Sequence, residues 1–186
     1  MGNYRRDLQP VNEARQPIHT ADGTFVAAYS AKGLAELRFP GARFAAGPVP
    51  QHLREWHALT ENAVRAILAG KDPGRFPPLD LAGSSDFQRS VWEEMRKLRS
   101  GQTASYGELA ERLGIPGGAR AIGNACGANP IPLLIPCHRI LASGGRLGGF
   151  SGGLDWKRKL LQREGITAAE RPGRTRDSAE PLLLKF

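Results

Sequence analysis

The residues best suited to chemistry in this chain lie around Cys137, in the sequence Pro-Cys-His-Arg at 136–139. The apolar run 133–135 reads as a short buried strand or extended segment, because the following proline favours an extended residue before it. Positive charge from His138 and Arg139 would favour the thiolate, the nucleophilic form of cysteine. A buried structural cysteine beside a solvent-facing His-Arg pair is the alternative for this tetrapeptide taken alone. Cys137 is therefore a candidate nucleophile whose role depends on its surroundings.

Two short predicted helices joined by a glycine-rich turn form a helix-turn-helix pattern. The first covers 106–113, with Ser105 as its cap and Glu108 completing a capping box. The second covers 119–127 and carries small residues at nearly every position except Arg120. A helix that reads the major groove presents several long polar side chains, whereas a smooth helix with one arginine suits a narrow minor groove. Tight packing of this helix against the protein's own core is the alternative.

An arginine that enters the base stack indicates base flipping, because something must fill the gap left by the extruded nucleotide. Tyr106, at the start of the first helix, would support the rotating phosphate or stack on the base. The loop 148–153, Gly-Gly-Phe-Ser-Gly-Gly, would bring backbone donors close to a flat ligand, since glycine permits close approach. An ordinary aromatic residue and a flexible connector are the plainer interpretations of these two features.

The composition indicates a globular protein with more basic than acidic residues. The 186 residues are 40% hydrophobic and 24% charged, and the net charge of +8 favours a polyanionic partner, nucleic acid first. The charge is spread along the chain, so a merely basic surface is the alternative. No run is long enough to span a bilayer and the N-terminus lacks a secretion signal, so we expect a cytoplasmic protein. Two cysteines without a CxxC pair argue against a zinc site, and the reducing cytoplasm argues against a structural disulfide.

The remaining patterns predict an α+β protein with two units. In the first, strands over 24–30 and 33–39 joined by a tight turn precede a helix over 51–68. In the second, a helix from the cap candidates 84–86 to residue 98 precedes the helix-turn-helix pair, and a last helix covers 154–164. The side chains expected on the buried face of the helix that ends at 98 are Phe87, Val91, Met95 and Leu98.

The predicted domain boundaries follow the proline-rich stretch before residue 80. The N-terminal domain covers 1–80, the C-terminal domain covers 81–166, and the polar residues 167–186 are expected to form a mobile tail.

Five short segments of the chain resemble the signature motifs of the O6-alkylguanine-DNA alkyltransferases. They are Pro-Cys-His-Arg at 136–139, Ser-Tyr-Gly-Glu at 105–108, Ala-Arg-Ala-Ile-Gly at 119–123, Gly-Ala-Asn-Pro at 127–130 and Gly-Phe-Ser-Gly-Gly-Leu at 149–154. The similarity runs from about Phe87 to Gly165 and extends more weakly to the N-terminal strands. It implies a small ribonuclease-H-like N-terminal domain followed by a helix-turn-helix, winged-helix-like C-terminal domain.

The resemblance implies a DNA repair reaction that consumes the protein. Cys137 would take the alkyl group from O6 of guanine, and less well from O4 of thymine, in double-stranded DNA. His138 would deprotonate the thiol through a bound water, with Glu164 orienting His138. Neighbours on a strand point to opposite faces, so a bridging water is easier than direct contact. Asn129 would brace the active-site turn, and Tyr106 would donate a proton towards N3 of the leaving guanine and help rotate the phosphate.

The same resemblance implies a substrate pocket and a DNA-binding surface. Backbone groups near Ile140 and Ser151 would read the guanine edge, Phe150 would wall the pocket, and Lys157 matches a family lysine without an assigned role. Arg120 would fill the space of the flipped base. The residues expected to bind DNA are Ser105, Tyr106, Gly107, Arg120, Ala121, Gly123 and Ser143. No cofactor or metal is expected, and the protein is expected to be a monomer that binds no membrane, with cooperativity on DNA left open.

Two other function classes remain alternatives. A helix-turn-helix regulator would carry Cys137 as an incidental or redox-sensing residue, but the small residues of the second helix argue against base readout. A cysteine hydrolase would use the Cys-His pair and show turnover on an ester or amide. A sister group of alkyltransferase-like proteins carries tryptophan in place of the reactive cysteine, which Cys137 argues against.

Overall fold

A computed structural model describes residues 14–44 and 47–168. Most of the predicted tail, from residue 169 onward, lies outside these residues, as do residues 1–13. Within them the chain combines a three-stranded sheet, a two-stranded sheet and five α-helices. This confirms the mixed helix and sheet composition expected from the sequence.

The N-terminal region is an antiparallel sheet in the order β1 (Ala14–Thr20), β2 (Gly23–Ser30) and β3 (Gly33–Arg38). The two predicted strands correspond to β2 and β3, and the tight turn between them is confirmed. Strand β1 was not predicted from the sequence. Its residues are Ala-Arg-Gln-Pro-Ile-His-Thr, with one large apolar side chain, so neither apolar alternation nor an apolar run marks it as a strand.

Helix α1 (Arg54–Leu68), preceded by a 3-10 turn over Gln51–Leu53, confirms the helix predicted for 51–68. It packs on the sheet, where the Tyr29 hydroxyl and His57 Nδ1 lie 3.2 Å apart in a buried hydrogen bond. Asp80 then returns the chain to the sheet, because its backbone N–H donates to the Leu34 carbonyl at 2.8 Å.

The C-terminal region contains α2 (Asp86–Arg96), α3 (Tyr106–Arg112), α4 (Ala119–Gly127) and α5 (Leu154–Arg163). Both predicted caps are confirmed: the Ser85 and Ser105 side chains accept from the backbone N–H three residues later, in complete capping boxes. These local hydrogen bonds fix where α2 and α3 begin.

The buried face of α2 differs from the expected one. Val91, Trp92 and Met95 are buried, whereas Phe87 is 38% exposed. A helix turns about 100° per residue. A face centred between Val91 and Trp92 therefore leaves Phe87 at its margin. The Trp92 Nε1–H donates to the Ala125 carbonyl at 2.9 Å and so joins α2 to α4.

A short parallel pair links the helix-turn-helix to the residues after the cysteine. Strand β4 (Ala104–Ser105) pairs with β5 (Ile140–Leu141). Because β4 leads directly into α3 and β5 follows the Cys137 turn, this pairing places the start of α3 beside Cys137. One buried apolar cluster extends from the N-terminal sheet through α1 to the C-terminal helices.

Candidate active site

Cys137 lies in the wall of a cavity of about 530 Å³ between α3, α4 and the loop 148–153. This volume is within the range of about 300–1,000 Å³ that is usual for small-molecule sites. The predicted site residues that line the cavity are Tyr106, Arg120, Gly123, Cys137, Phe150 and Ser151. Residues from the two predicted helices, the cysteine motif and the glycine-rich loop therefore meet at one cavity.

The backbone that carries Cys137 is a series of tight turns, so the predicted strand over the apolar run is wrong. The Ile135 N–H donates to the Ile131 carbonyl at 3.0 Å, and Leu133 has a φ of 76°. Pro136 (φ −80°, ψ 63°) forms an inverse γ-turn, closed by the Cys137 N–H and the Ile135 carbonyl at 2.8 Å.

The prolines around the cysteine explain this conformation. Pro130, Pro132 and Pro136 have no backbone N–H, so the segment cannot take part in a continuous strand ladder. Cys137 instead begins a 3-10 turn over Cys137–Arg139. Successive side chains of such a turn diverge by about 120°, so Cys137 and His138 still point in different directions.

Asn129 holds both ends of these turns with one side-chain amide. Its Oδ1 accepts from the Ile131 N–H at 3.0 Å, and its Nδ2 donates to the Ile135 carbonyl at 2.8 Å. The same Nδ2 donates to Cys137 Sγ at 3.2 Å. The amide is buried, so the sulfur faces a fixed hydrogen-bond donor.

His138 and Glu164 form a buried pair next to the cysteine. His138 Nε2 and Glu164 Oε1 are 3.0 Å apart, and both side chains are at most 1% exposed. The carboxylate can only accept, so Nε2 carries the proton, and Nδ1 is left as the basic nitrogen. His138 Nδ1 is buried and has no hydrogen-bond partner among the described residues. Burial lowers the pKa of His138 despite the opposing effect of Glu164, which keeps the ring neutral at neutral pH.

Arg139 does not supply positive charge to the thiol, contrary to the expectation from the sequence. Its guanidinium donates to Glu164 at 2.8–3.1 Å and to the Leu98 carbonyl at 2.6 Å. Burial alone would raise the pKa of Glu164, but the hydrogen bonds from His138 and Arg139 outweigh it and hold the pKa at about 2. Arg139 therefore stabilises the carboxylate that pairs with His138.

The cation that does act on the thiol is Lys157. Burial raises the pKa of Cys137 to about 11, while Asn129 and Lys157 oppose this rise. Lys157 is fully buried, and its Nζ donates to the Ile140 carbonyl at 2.6 Å and to the Gly149 carbonyl at 3.2 Å. It ties the strand after the cysteine to the glycine-rich loop. The resting site thus holds a neutral thiol that needs a base before it can attack.

Tyr106 lies against the glycine-rich loop. A Cβ at Gly148, where φ is +65°, would lie 3.0 Å from the Tyr106 hydroxyl oxygen, so this position requires glycine. Burial raises the pKa of Tyr106 to about 12. The hydroxyl is therefore protonated at neutral pH and can donate a hydrogen bond.

Helix α4 presents Arg120 at the edge of the cavity. Arg120 is exposed and makes no hydrogen bond or ion pair with the rest of residues 14–44 and 47–168. A Cβ at Gly123 would lie 3.9 Å from Tyr106 Cε1, and one at Gly127 would meet nothing within 4 Å. Packing inside the protein therefore does not explain these two glycines.

Five other predicted site residues do not line the cavity. Ser105 caps α3, Gly107 follows in its first turn, and Ala121 is exposed on α4. Ser143 is exposed in a 3-10 turn over Ser143–Gly145. The Ile140 carbonyl accepts from Lys157, as described above.

Five further residues line the cavity without being among the predicted site residues: Ala119, Asn124, Cys126, Gly127 and Gly149. Asn124 and Cys126 on α4 line it together with Arg120 and Gly123. The pattern of small residues on this helix is the signal that could have indicated them. Burial raises the pKa of Cys126 to about 12, and its thiol contacts Met95 Sδ at 3.5 Å.

Residues 14–44 and 47–168 offer neither a metal cluster nor a membrane-spanning helix. They contain no group of three or more His, Cys, Asp or Glu side chains arranged to hold a metal ion. None of their helices is long and apolar enough to cross a membrane.

Comparisons with known proteins agree on one family. The family model for 6-O-methylguanine DNA methyltransferase, DNA binding domain, matches residues 86–166. A methylated-DNA–protein-cysteine methyltransferase of Mycolicibacterium paratuberculosis is 52% identical over 86 residues, 46% of this chain and 52% of that protein. One of Salmonella typhimurium is 49% identical over 83 residues, 45% of this chain and 48% of that protein. The matched segment thus spans about half the length of these curated relatives.

Solved structures extend the similarity to most of the chain. The structure of Mycobacterium tuberculosis OGT in complex with DNA is 35% identical, with a TM-score of 0.68, over 81% of this chain and 91% of that one. The Mycobacterium tuberculosis O6-methylguanine methyltransferase is 32% identical, with a TM-score of 0.66, over 82% and 92%. The similarity therefore includes the N-terminal sheet as well as the helices around Cys137.

Proposed function

The chain belongs to the O6-methylguanine DNA methyltransferase family, and from that premise we propose that it repairs alkylated DNA by alkylating itself. The alkyl group would pass from O6 of guanine, and less well from O4 of thymine, to Cys137. The observation that carries this proposal is the buried thiol in the wall of a cavity of about 530 Å³, beside a small-residue helix whose one arginine is exposed at the edge of that cavity.

The proposed base for the thiol is His138. Its buried Nδ1 has a free lone pair, and a bridging water would carry the thiol proton to it. The Glu164 carboxylate, which accepts from Nε2, would stabilise the imidazolium that forms. The sulfur then attacks the alkyl carbon, the S–C bond forms and the C–O6 bond breaks. A thioether is a poor leaving group, so each molecule reacts once.

The leaving guanine needs a proton as the C–O6 bond breaks. Tyr106 is the proposed donor, towards N3, since its hydroxyl lies at the cavity, and the phenolate left behind would regain a proton from solvent water. Phe150 would wall the pocket, with backbone groups near Ser151 and Ile140 reading the guanine edge. Lys157 would hold the loop and strand that carry these groups, through its bonds to two carbonyls.

The proposed DNA surface is the face of α3 and α4 that borders the cavity. Arg120 would enter the base stack from the minor groove and fill the place of the flipped nucleotide. Gly123 would allow the DNA to approach α4 closely, because packing within the protein does not require a glycine at this position. The DNA backbone around the flipped nucleotide would be contacted by Ser105, Gly107, Ala121 and Ser143.

We further propose the finer architecture that the family resemblance implies. The antiparallel strands followed by α1 support a ribonuclease-H-like unit over 1–80, and α3, α4 and the β4–β5 pair support a winged-helix-like unit over 81–166. A monomer acting in the cytoplasm, without a cofactor, fits this proposal.

The stoichiometry of transfer tests the proposed function. Protein is incubated with excess duplex that carries O6-methylguanine with a labelled methyl group, and protein-bound label is counted. We expect one methyl group per protein and no further reaction. Catalytic release of label would contradict single-use transfer, and DNA binding without any label on the protein would favour the regulator alternative.

A further inference from the structure

We infer that Asp22, in the turn between β1 and β2, is a positioning residue for alkyl transfer: it holds the end of α5 so that Glu164 meets His138. The inference rests on the proposed function. It adds a residue of the N-terminal sheet, far in sequence from every signature motif.

Asp22 binds the end of α5 through two basic side chains. Arg163 donates to both carboxylate oxygens, with Nη1–Oδ2 at 2.7 Å and Nη2–Oδ1 at 2.8 Å. Lys159 Nζ lies 2.6 Å from Oδ1. The Asp22 side chain is only 11% exposed, so this bidentate pair is less screened than a typical surface ion pair.

The turn that carries Asp22 is itself ordered by hydrogen bonds. The Asp22 N–H donates to Thr20 Oγ1 at 3.1 Å, and that hydroxyl donates to the Gly23 carbonyl at 2.7 Å. Gly23 has a φ of +114°, and a Cβ there would lie 2.9 Å from Pro40. The carboxylate is therefore presented from a fixed turn.

Glu164 follows Arg163 directly, just beyond the last helical residue of α5. A Cβ at Gly70 would lie 2.0 Å from the Arg163 carbonyl oxygen, so the end of α1 packs closely on this backbone. The Gly101 N–H lies 3.4 Å from Glu164 Oε2. Because Arg163 and Glu164 are adjacent, a displacement of the Arg163 anchor moves the carboxylate that accepts from His138.

The charges around His138 predict the direction of the effect. Glu164 raises the pKa of His138, while burial, Arg139 and Lys157 lower it. A loosened Glu164 contact therefore lowers the pKa of His138 further and makes it a weaker base. The rate should fall, and the acid limb of its pH profile should move to lower pH.

The test compares Asp22→Asn with Asp155→Asn, which removes the same charge from an exposed ion pair at the other end of α5. Single-turnover alkyl transfer from an O6-methylguanine duplex is measured across pH, together with the affinity for that duplex. Since a misplacement of about 1 Å can cost roughly 100-fold, we expect partial loosening in Asp22→Asn to slow transfer by about 3- to 10-fold. The acid midpoint should lie at lower pH and the affinity should be unchanged. Asp155→Asn should match the wild type.

Equal rates and equal acid midpoints for Asp22→Asn and Asp155→Asn would overturn the inference. If Asp22→Asn does not fold, Arg163→Lys keeps the charge, loses the bidentate geometry and provides the same comparison. An NMR titration of the His138 ring in the DNA-free protein measures the pKa of His138 directly, so it tests the effect of Asp22 on His138 without the reaction. An unshifted His138 in Asp22→Asn overturns the inference, whereas a wild type that transfers no alkyl group refutes the proposed function.

Discussion

The N-terminal sheet and the C-terminal helices contribute differently to this active site. Every proposed reactive group belongs to the C-terminal region, together with all five signature motifs. The N-terminal sheet supplies none of them, yet the sheet and the residues next to it make contacts close to the site. The Leu37 N–H donates to the Pro130 carbonyl at 2.9 Å. The Phe39 ring packs on the Phe150 ring, with centroids 5.5 Å apart. Asp22 forms an ion pair with Arg163. In the proposed reaction the C-terminal region supplies the reacting groups, and the N-terminal region contacts the elements that carry them.

The largest effect should come from the reactive residue itself. Cys137→Ala removes the sulfur, so we expect no detectable transfer with duplex affinity retained, measured by label transfer and fluorescence anisotropy. Cys126→Ala is the matched control, because Cys126 lines the same cavity but contacts Met95. Transfer that survives in Cys137→Ala, or is lost in Cys126→Ala, would move the chemistry away from the residue proposed here.

Arg120→Ala should slow repair in duplex DNA by roughly 10-fold, because the cost of unstacking a base is a few kcal/mol and the arginine would offset part of it. The reaction with a free O6-alkylguanine base needs no flipping and should be unchanged. Arg112→Ala, in the last turn of α3, is a control for the lost charge. Equal slowing on duplex and free base would show that Arg120 acts on the pocket and not on flipping.

A variant of Phe39, which directly follows β3, should have a smaller effect on the same reaction. Phe39→Ala removes the ring that packs on Phe150 and on Trp156, and an aromatic pair contributes about 0.5–1.5 kcal/mol beyond its buried area. We expect transfer slower by about 2- to 10-fold, measured in single turnover, with Phe39→Leu intermediate. Complete loss of transfer in folded Phe39→Ala would mean that the N-terminal region takes part in the chemistry. It would contradict the proposal that this region only holds the reactive groups in place.

The smallest effect should appear in the pH dependence of stability. The pKa of Asp22 is lowered from 3.8 to about 2 by its hydrogen bond to Arg163, and that of Glu164 from 4.5 to about 2. Depressed carboxylate pKa values stabilise the fold above the unfolded-state pKa, and this contribution is lost as the pH falls towards 2. The free energy of unfolding should therefore decrease from about pH 4.5 downward.

Denaturant titrations at several pH values check this dependence. The decrease should be shallower in Asp22→Asn, which has one such carboxylate fewer. The same slope in wild type and Asp22→Asn would show that the ion pair between the two regions contributes nothing to stability.

Features that depend on residues close together in the sequence could be predicted, and features that depend on distant residues could not. The caps at Ser85 and Ser105 and the bounds of α4 depend on neighbours within a few residues, and they are confirmed. The strand predicted before Cys137 is wrong, because prolines and the Asn129 amide replace ladder hydrogen bonds with turns.

Contacts between distant parts of the chain could not be predicted. Asp22 and Arg163 are 141 residues apart, and no local pattern joins them. The expectation that Arg139 acts on the thiol failed for the same reason, since the position of Glu164 decides where the guanidinium binds. The motifs indicate which side chains would react, and the tertiary contacts decide how these side chains are oriented.

Peptide mapping by mass spectrometry after reaction with an O6-methylguanine duplex tests most directly whether one buried sulfur accepts the alkyl group. We expect a single added methylene, located on Cys137, with Cys126 unmodified. A methyl group on Cys126 or on another residue, or an unmodified protein beside repaired DNA, would contradict the proposed reaction.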